Sequence, residues 1–126
     1  NTAFGRDAMG VINIPSTGVW LRDNTAFGAQ SLWTLNRSTR STAFGDSTLM
    51  LRTHVSNTVF GFGAMYQAGP LIDGEDCSNS VAIGSRALFR IRFLDQNTAI
   101  GANALSTLLS AESNTAIGYE ALRSND

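Results

Sequence analysis

The stretch NTAIG stands at residues 97–101 and again at 114–118, and NTAFG stands at 1–5 and 24–28. Extended to nine residues, the pattern has seven copies: NTAFGRDAM (from Asn1), NTAFGAQSL (from Asn24), STAFGDSTL (from Ser41), NTVFGFGAM (from Asn57), SVAIGSRAL (from Ser80), NTAIGANAL (from Asn97) and NTAIGYEAL (from Asn114). The consensus is Asn/Ser, Thr/Val, Ala/Val, Phe/Ile, Gly, two free positions, a small residue, and Leu/Met. A repeat this dense decides the architecture before any other feature is weighed.

The copies start 23, 17, 16, 23, 17 and 17 residues apart, so the long-short-short series itself recurs. One higher unit spans 1–56, a second spans 57–113, and a third opens at Asn114. The chain begins on a motif with no initiator Met. It reads as one repeat domain over 1–126, a piece of a longer repeating protein. The net charge is −1 and only 15% of residues are charged, against about 25% in ordinary soluble domains. That balance gives no reason to expect nucleic acid or an acidic membrane surface. The single Cys excludes an internal disulfide. The apolar runs are too short for a membrane span, so no membrane insertion by this segment is expected.

A period of 16–17 residues is too short for helical repeats, which need about 33 or more. It suits one coil of a parallel β-solenoid, with two short strands and two turns, and hence an all-β chain of about seven coils. Stacked at the usual strand spacing, seven coils would make a segment about 34 Å long. Thr-Ala-Ile-Gly and Thr-Ala-Phe-Gly mix β-branched or aromatic residues with small ones, as strands do. Gly at the fifth position allows a corner or a close approach of chains. Asn or Ser at the first can bond nearby backbone groups.

Side chains alternate across a strand. Thr98 and Ile100 therefore face one way, and Asn97, Ala99 and Gly101 the other. Neither face carries a charge in any copy, so both must be covered. The second strand of the same coil can cover one. Another chain would cover the other, and the small Ala/Gly face would permit its close approach. The packing residues expected on this basis are Ala3, Phe4 and Gly5; Ala26, Phe27 and Gly28; Ala43, Phe44 and Gly45; Val59, Phe60 and Gly61; Ala82, Ile83 and Gly84; Ala99, Ile100 and Gly101; and Ala116, Ile117 and Gly118. Between Ala87 and Phe93, residues Phe89, Ile91 and Phe93 alternate with Arg90 and Arg92. That predicts a half-wet second strand.

Two linkers, 10–23 and 66–79, are long and hold both prolines, Pro15 and Pro70. They also carry Trp20, Tyr66, Asp73, Glu75 and Asp76, which are candidate ligand contacts because loops on a regular scaffold commonly carry recognition. The plainer reading makes the linkers spacers or local caps.

The stretch Asn79-Ser80-Val81-Ala82-Ile83-Gly84, NSVAIG, and its variants resemble the head repeats of YadA-like trimeric autotransporter adhesins. NTAIGYxAL repeats are similar to those of phage and viral surface fibres. The resemblance covers nearly the whole chain. It implies a left-handed parallel β-roll, three chains about one axis, and a role in attachment to a host receptor, glycan or matrix protein. The location it implies is a bacterial cell surface or a virion or phage fibre. The spacing here is slightly longer than in the usual head, and Phe replaces Ile at Phe4, Phe27, Phe44 and Phe60. A passive fibre shaft is the alternative.

Enzymatic readings find little support. A hexapeptide-repeat acyltransferase needs an apolar corner every six residues, whereas 16, 17 and 23 are not multiples of six. His54 has no acid or nucleophile placed with it by the repeat and reads as a surface or turn residue. No cofactor is implied. Asp73, Glu75 and Asp76 lack the spacing of a calcium loop, so no metal site is expected. The Gly61-Phe62-Gly63 triplet is a repeat copy and no phosphate loop. Cys77 lies in a long linker, as an exposed thiol or a small buried residue. Asn36-Arg37-Ser38 fits a glycosylation acceptor, a triplet common by chance. Trp20, Trp33 and Tyr66 could stack on sugar rings, though packing of loops on the rod is the plainer expectation. A ladder of Thr2, Thr25, Thr42, Thr58, Thr98 and Thr115, broken by Val81, raises ice binding. Its pairing with Phe and Ile on one face predicts burial instead.

Overall fold

The structure, a computed structural model, describes residues 1–10, 21–66, 77–90, 93–107 and 110–124. Among these residues there is no helix. The motif strands are β1 (Thr2–Phe4), β3 (Thr25–Phe27), β5 (Thr42–Phe44), β7 (Thr58–Phe60), β9 (Val81–Ile83), β11 (Thr98–Ile100) and β13 (Thr115–Ile117). Between them lie β2 (Leu21–Arg22), β4 (Thr34–Thr39), β6 (Leu51–Val55), β8 (Cys77–Ser78), β10 (Phe93–Asp95) and β12 (Ser110–Glu112). The chain alternates between two open parallel sheets. One stacks the seven motif strands in chain order and the other the six strands between them. This is consistent with a β-solenoid.

Register follows the repeat. Thr pairs with Thr, Ala with Ala and Phe with Phe from β1 through β5, and Thr98, Ala99 and Ile100 pair with Thr115, Ala116 and Ile117. The unequal spacings are absorbed outside the motif strands. The 17-residue winding from Asn24 meets the 16-residue winding from Ser41 through a shift in β4, where Thr34 pairs with Leu51 but Arg37 with Thr53. One residue is taken up as a bulge, and the ladder resumes with Ser38 against His54. The longer linkers rejoin the ladder two residues at a time, through Leu21–Arg22 and Cys77–Ser78. Of the loops expected over 10–23 and 66–79, residues 21–22 and 77–78 are strand, while residues 11–20 and 67–76 lie outside the described residues.

Each winding turns at fixed positions. The residue before each motif, at Asp23, Arg40, Ser56, Asn79, Gln96 and Ser113, has φ between 54 and 58°. The ninth motif residue is also left-handed, with φ of 54° at Leu32 and Leu88 and 50° at Met65 and Leu105. Such angles cost roughly 1–2 kcal/mol per L-residue. Leu32, Leu49, Met65, Leu88 and Leu105 are each 0% exposed, and burying such a side chain returns about 1.5–3 kcal/mol, enough to hold the turn. The same residues stay hydrogen-bonded to the next winding: Leu32 N donates to Thr48 O, and Leu88 N to Ala104 O. Bonds between windings thus run through the turns as well as the strands.

The first motif position explains its own chemistry. Asn24 Oδ1 accepts from Ser41 N at 2.9 Å, Ser41 Oγ from Asn57 N at 3.3 Å, and Asn57 Oδ1 from Ser80 N at 2.9 Å. Ser80 Oγ accepts from Asn97 N at 3.1 Å, and Asn97 Oδ1 from Asn114 N at 2.9 Å. The Asn amides also donate across to the second sheet, Asn24 Nδ2 to Ser38 O and Asn57 Nδ2 to Cys77 O. Only a short side chain with an acceptor oxygen continues this column, and all seven copies hold Asn or Ser there.

The core lies between the sheets of one chain. Its wall on the motif side is the third position: Ala43, Val59, Ala82 and Ala99 are 0% exposed, Ala26 1% and Ala116 3%. Ala3, on the edge strand β1, is exposed. This corrects the expectation that the small Ala/Gly face receives another chain. The other alanines are already buried in the core of the single chain. The fifth-position glycines serve a close approach along the stack. At Gly45 and Gly61, with φ of 130 and 132°, an added Cβ would sit 2.5 Å from the carbonyl oxygen of the next winding's glycine.

The second-sheet strand expected over 87–93 is also corrected. Ala87 and Leu88 form a buried turn, because φ of 57° at Arg86 and 54° at Leu88 breaks the alternation; Ile91 and Arg92 lie outside the described residues, and β10 covers Phe93–Asp95. His54 lies in β6, between Ser38 of β4 and Cys77 of β8, and not in a turn.

Candidate interaction surface

With alanine turned inward, the second and fourth motif positions point out of the chain. Phe4 is 68% exposed, Phe27 49%, Phe60 39%, Ile83 39% and Ile117 68%. Phe44 and Ile100 are half-buried. The threonines beside them are exposed at Thr2 and Thr115 and half-buried at Thr25, Thr42, Thr58 and Thr98, so the column expected to be dry is wet in a single chain. The reason is the same alternation that turns alanine inward.

The phenyl rings stack along the column. Centroids are 4.9 Å apart for Phe4 and Phe27, 5.6 Å for Phe27 and Phe44, and 5.0 Å for Phe44 and Phe60, with planes within 15° of parallel. In-register strands at about 4.8 Å impose this spacing. The side chains at the two outward positions carry no charge in any of the seven copies. The five exposed residues of the fourth position alone present about 500 Å², taking about 200 Å² for each fully exposed side chain. Contiguous apolar patches of that size mark contact surfaces more often than bare solvent-facing protein.

A second column, unmarked in the nine-residue motif, runs through the tenth position: Gly10, Trp33, Met50, Tyr66, Phe89, Ser106 and Arg123. Trp33 lies against Gly10, where a Cβ would come within 2.5 Å of Cδ1. Tyr66 and Phe89 stack at 5.5 Å, and the Arg86 guanidinium sits 5.6 Å over the Phe89 ring. Trp33 and Tyr66 are half-buried. Aligning ten residues instead of nine would have revealed the column. Phe62 and Tyr119, 57% and 74% exposed, occupy the free sixth position.

Trp20, Asp73, Glu75 and Asp76 fall outside the described residues. Cys77 is buried in β8, which decides between its two readings. Among the described residues no three of His, Cys, Asp and Glu gather as metal ligands. No helix there is long and apolar enough to cross a membrane. Comparison with protein-family models, curated proteins and solved structures finds no match to this chain.

Proposed function

We propose that the chain is a segment of a homotrimeric surface fibre or adhesin, a left-handed β-roll of about seven coils that mediates attachment to a host cell or matrix from a cell surface or virion. The observation that carries this reading is the uncharged Phe/Ile and Thr face, continuous over all seven motif strands and uncovered in the single chain. Water is a poor partner for it, and a copy of the same chain is a good one, because it repeats at the same strand spacing. Association into three, the left hand and the adhesive role come from the resemblance to trimeric autotransporter heads. The dry face would lie at the axis, with the second sheet and the linkers turned outward.

Static light scattering tests the assembly: three times the chain mass of 13.4 kDa is expected, and a single-chain mass overturns it. A screen against glycans and matrix proteins then separates an adhesive head from a passive shaft.

A further inference from the structure

The spacing of this chain contains a trap for its own assembly. The long-short-short series returns after three windings, from Asn1 to Asn57 and from Asn57 to Asn114. Two copies displaced by three windings would still set long linker beside long linker and short beside short. Spacing alone does not mark that slip as wrong, although it gives up three of the seven shared layers. The second position does little more, since it is Thr in every winding but that of Val81.

The fourth position does not obey the three-winding period. It reads Phe4, Phe27, Phe44 and Phe60 in the first four windings and Ile83, Ile100 and Ile117 in the last three. Phe60 pairs with Ile83 at the boundary. Copies at equal height bring four all-phenyl layers and three all-isoleucine layers together. A three-winding slip keeps four shared layers and sets Phe27 against Ile83, Phe44 against Ile100 and Phe60 against Ile117. Only Phe4 still meets a phenyl, that of Phe60. Flat rings stacked within 15° of parallel and branched aliphatic side chains differ in width and contour, so mixed layers pack poorly.

We infer that the change from phenylalanine to isoleucine along the outward column is the register key that aligns copies of this chain at equal height and rejects the three-winding slip. The inference rests on the self-assembly proposed above and adds the residues that set its alignment. Specificity of this kind comes from what a wrong pairing loses as much as from what the right one gains.

The test uses two single-cysteine additions, Thr58→Cys in β7 and Thr115→Cys in β13, three strands apart in the motif sheet. Chains bearing one or the other, made distinguishable by mass, are unfolded, mixed equally and refolded. They are then treated with a bis-maleimide spanning about 8 Å, shorter than the roughly 14 Å of three strand spacings. Cys77 is buried and silent in the folded protein. With the native column, cross-links joining two chains of the same variant should exceed those joining one variant to the other by about tenfold or more. With a uniform column (Ile83→Phe, Ile100→Phe and Ile117→Phe), the assembled mass should persist and the ratio should fall several-fold below the native one, to what the three layers lost in the slip sustain by themselves. The reciprocal column, with Phe4, Phe27, Phe44 and Phe60 all changed to Ile, should do the same and serves if the first variant does not fold. An assembled uniform variant that keeps the native ratio overturns the register key alone. So does a native column that cross-links without preference. A native chain of single-chain mass overturns the assembly and the key together.

Discussion

Two neighbouring residues make the sharpest test of which face is which. Ala99 is 0% exposed and pairs in register with Ala82 and Ala116, all facing the second sheet. Ile100, the next residue, points out of the chain and is half-buried by its column. A carboxylate at position 99 would be held among the apolar and backbone groups of the core, out of water. The effective penalty for such an ion is several kcal/mol even after relaxation. The added volume in a filled core costs about 1–3 kcal/mol more. Against a total stability of about 5–15 kcal/mol, Ala99→Asp removes half or more. At roughly 3–5 °C per kcal/mol for a chain of this length, the melting temperature falls by about 15 °C or the fold is lost. Ile100→Asp places its charge where a single chain meets water, at a cost of about 1 kcal/mol or less. In an assembly it would crowd several carboxylates at one height on a dry axis. Ile100→Asp should therefore keep a β-sheet circular dichroism spectrum while its light-scattering mass falls to 13.4 kDa. Melting of Ala99→Asp should be followed in the Ile100→Asp background, so that association does not add to stability. A melting point within about 2 °C of that background would refute the inward alanine column, since even a modest core penalty exceeds it. An undiminished mass for Ile100→Asp would remove the Phe/Ile face from the contact.

Three further outcomes follow from the winding itself. Gly61→Ala, at φ of 132° and facing the Gly84 carbonyl, should cost about 3 kcal/mol or more, read as a lower urea midpoint, because backbone on both sides leaves no room to shift. Asn57→Ala removes the side-chain acceptor of the buried Ser80 N and one donor to Cys77 O, and should cost about 1–3 kcal/mol by the same measure. Asn57→Ser should recover part of that, since Ser41 and Ser80 already fill this position. Cys77, 0% exposed, should resist a thiol reagent in buffer and react fully in denaturant; prompt reaction in buffer would place it outside the core.

The parallel, all-β architecture was legible in the repeat because its period excludes helices and its in-register pairing needs nothing beyond the motif itself. Asn24, Ser41 and Asn57 announced a side-chain role, and Gly61 a close approach, by residue type alone. Which face of the motif strand turns inward was not legible. Alternation puts Ala99 and Ile100 on opposite sides, but apolar content on both leaves the direction open. Geometry decides it: Leu88 and Leu105 from the turns are buried in the same core, and the third position joins them as alanine or, at Val59, valine. The strand read across 87–93 failed at its first residues for a related cause. Leu88 looks like a strand residue, and nothing in its identity says that it sits at φ of 54°. Tyr66 and Phe89 escaped notice as a pair because their contact spans 23 positions, across a long linker that hides the shared tenth place.

The windings themselves supply a comparison that bears on the outward face. Positions six and seven are exposed or half-buried in most copies, and they have diverged freely: Arg6, Ala29, Asp46, Phe62, Ser85, Ala102 and Tyr119 all hold the sixth. Nothing about winding the chain prefers one of them, since the turn is held by its backbone bonds to neighbouring windings. Positions two and four are exposed or half-buried to a similar degree in the single chain, yet they admit only Thr or Val and only Phe or Ile. Strand propensity spans only about 1 kcal/mol and would accept Tyr, Trp or Val at the fourth position and many polar residues at the second. A face left to water would be expected to drift as the sixth position did. The uniformity supports the proposed self-assembly, because another copy of this surface would impose a constraint with the period of the strands and no tolerance for charge.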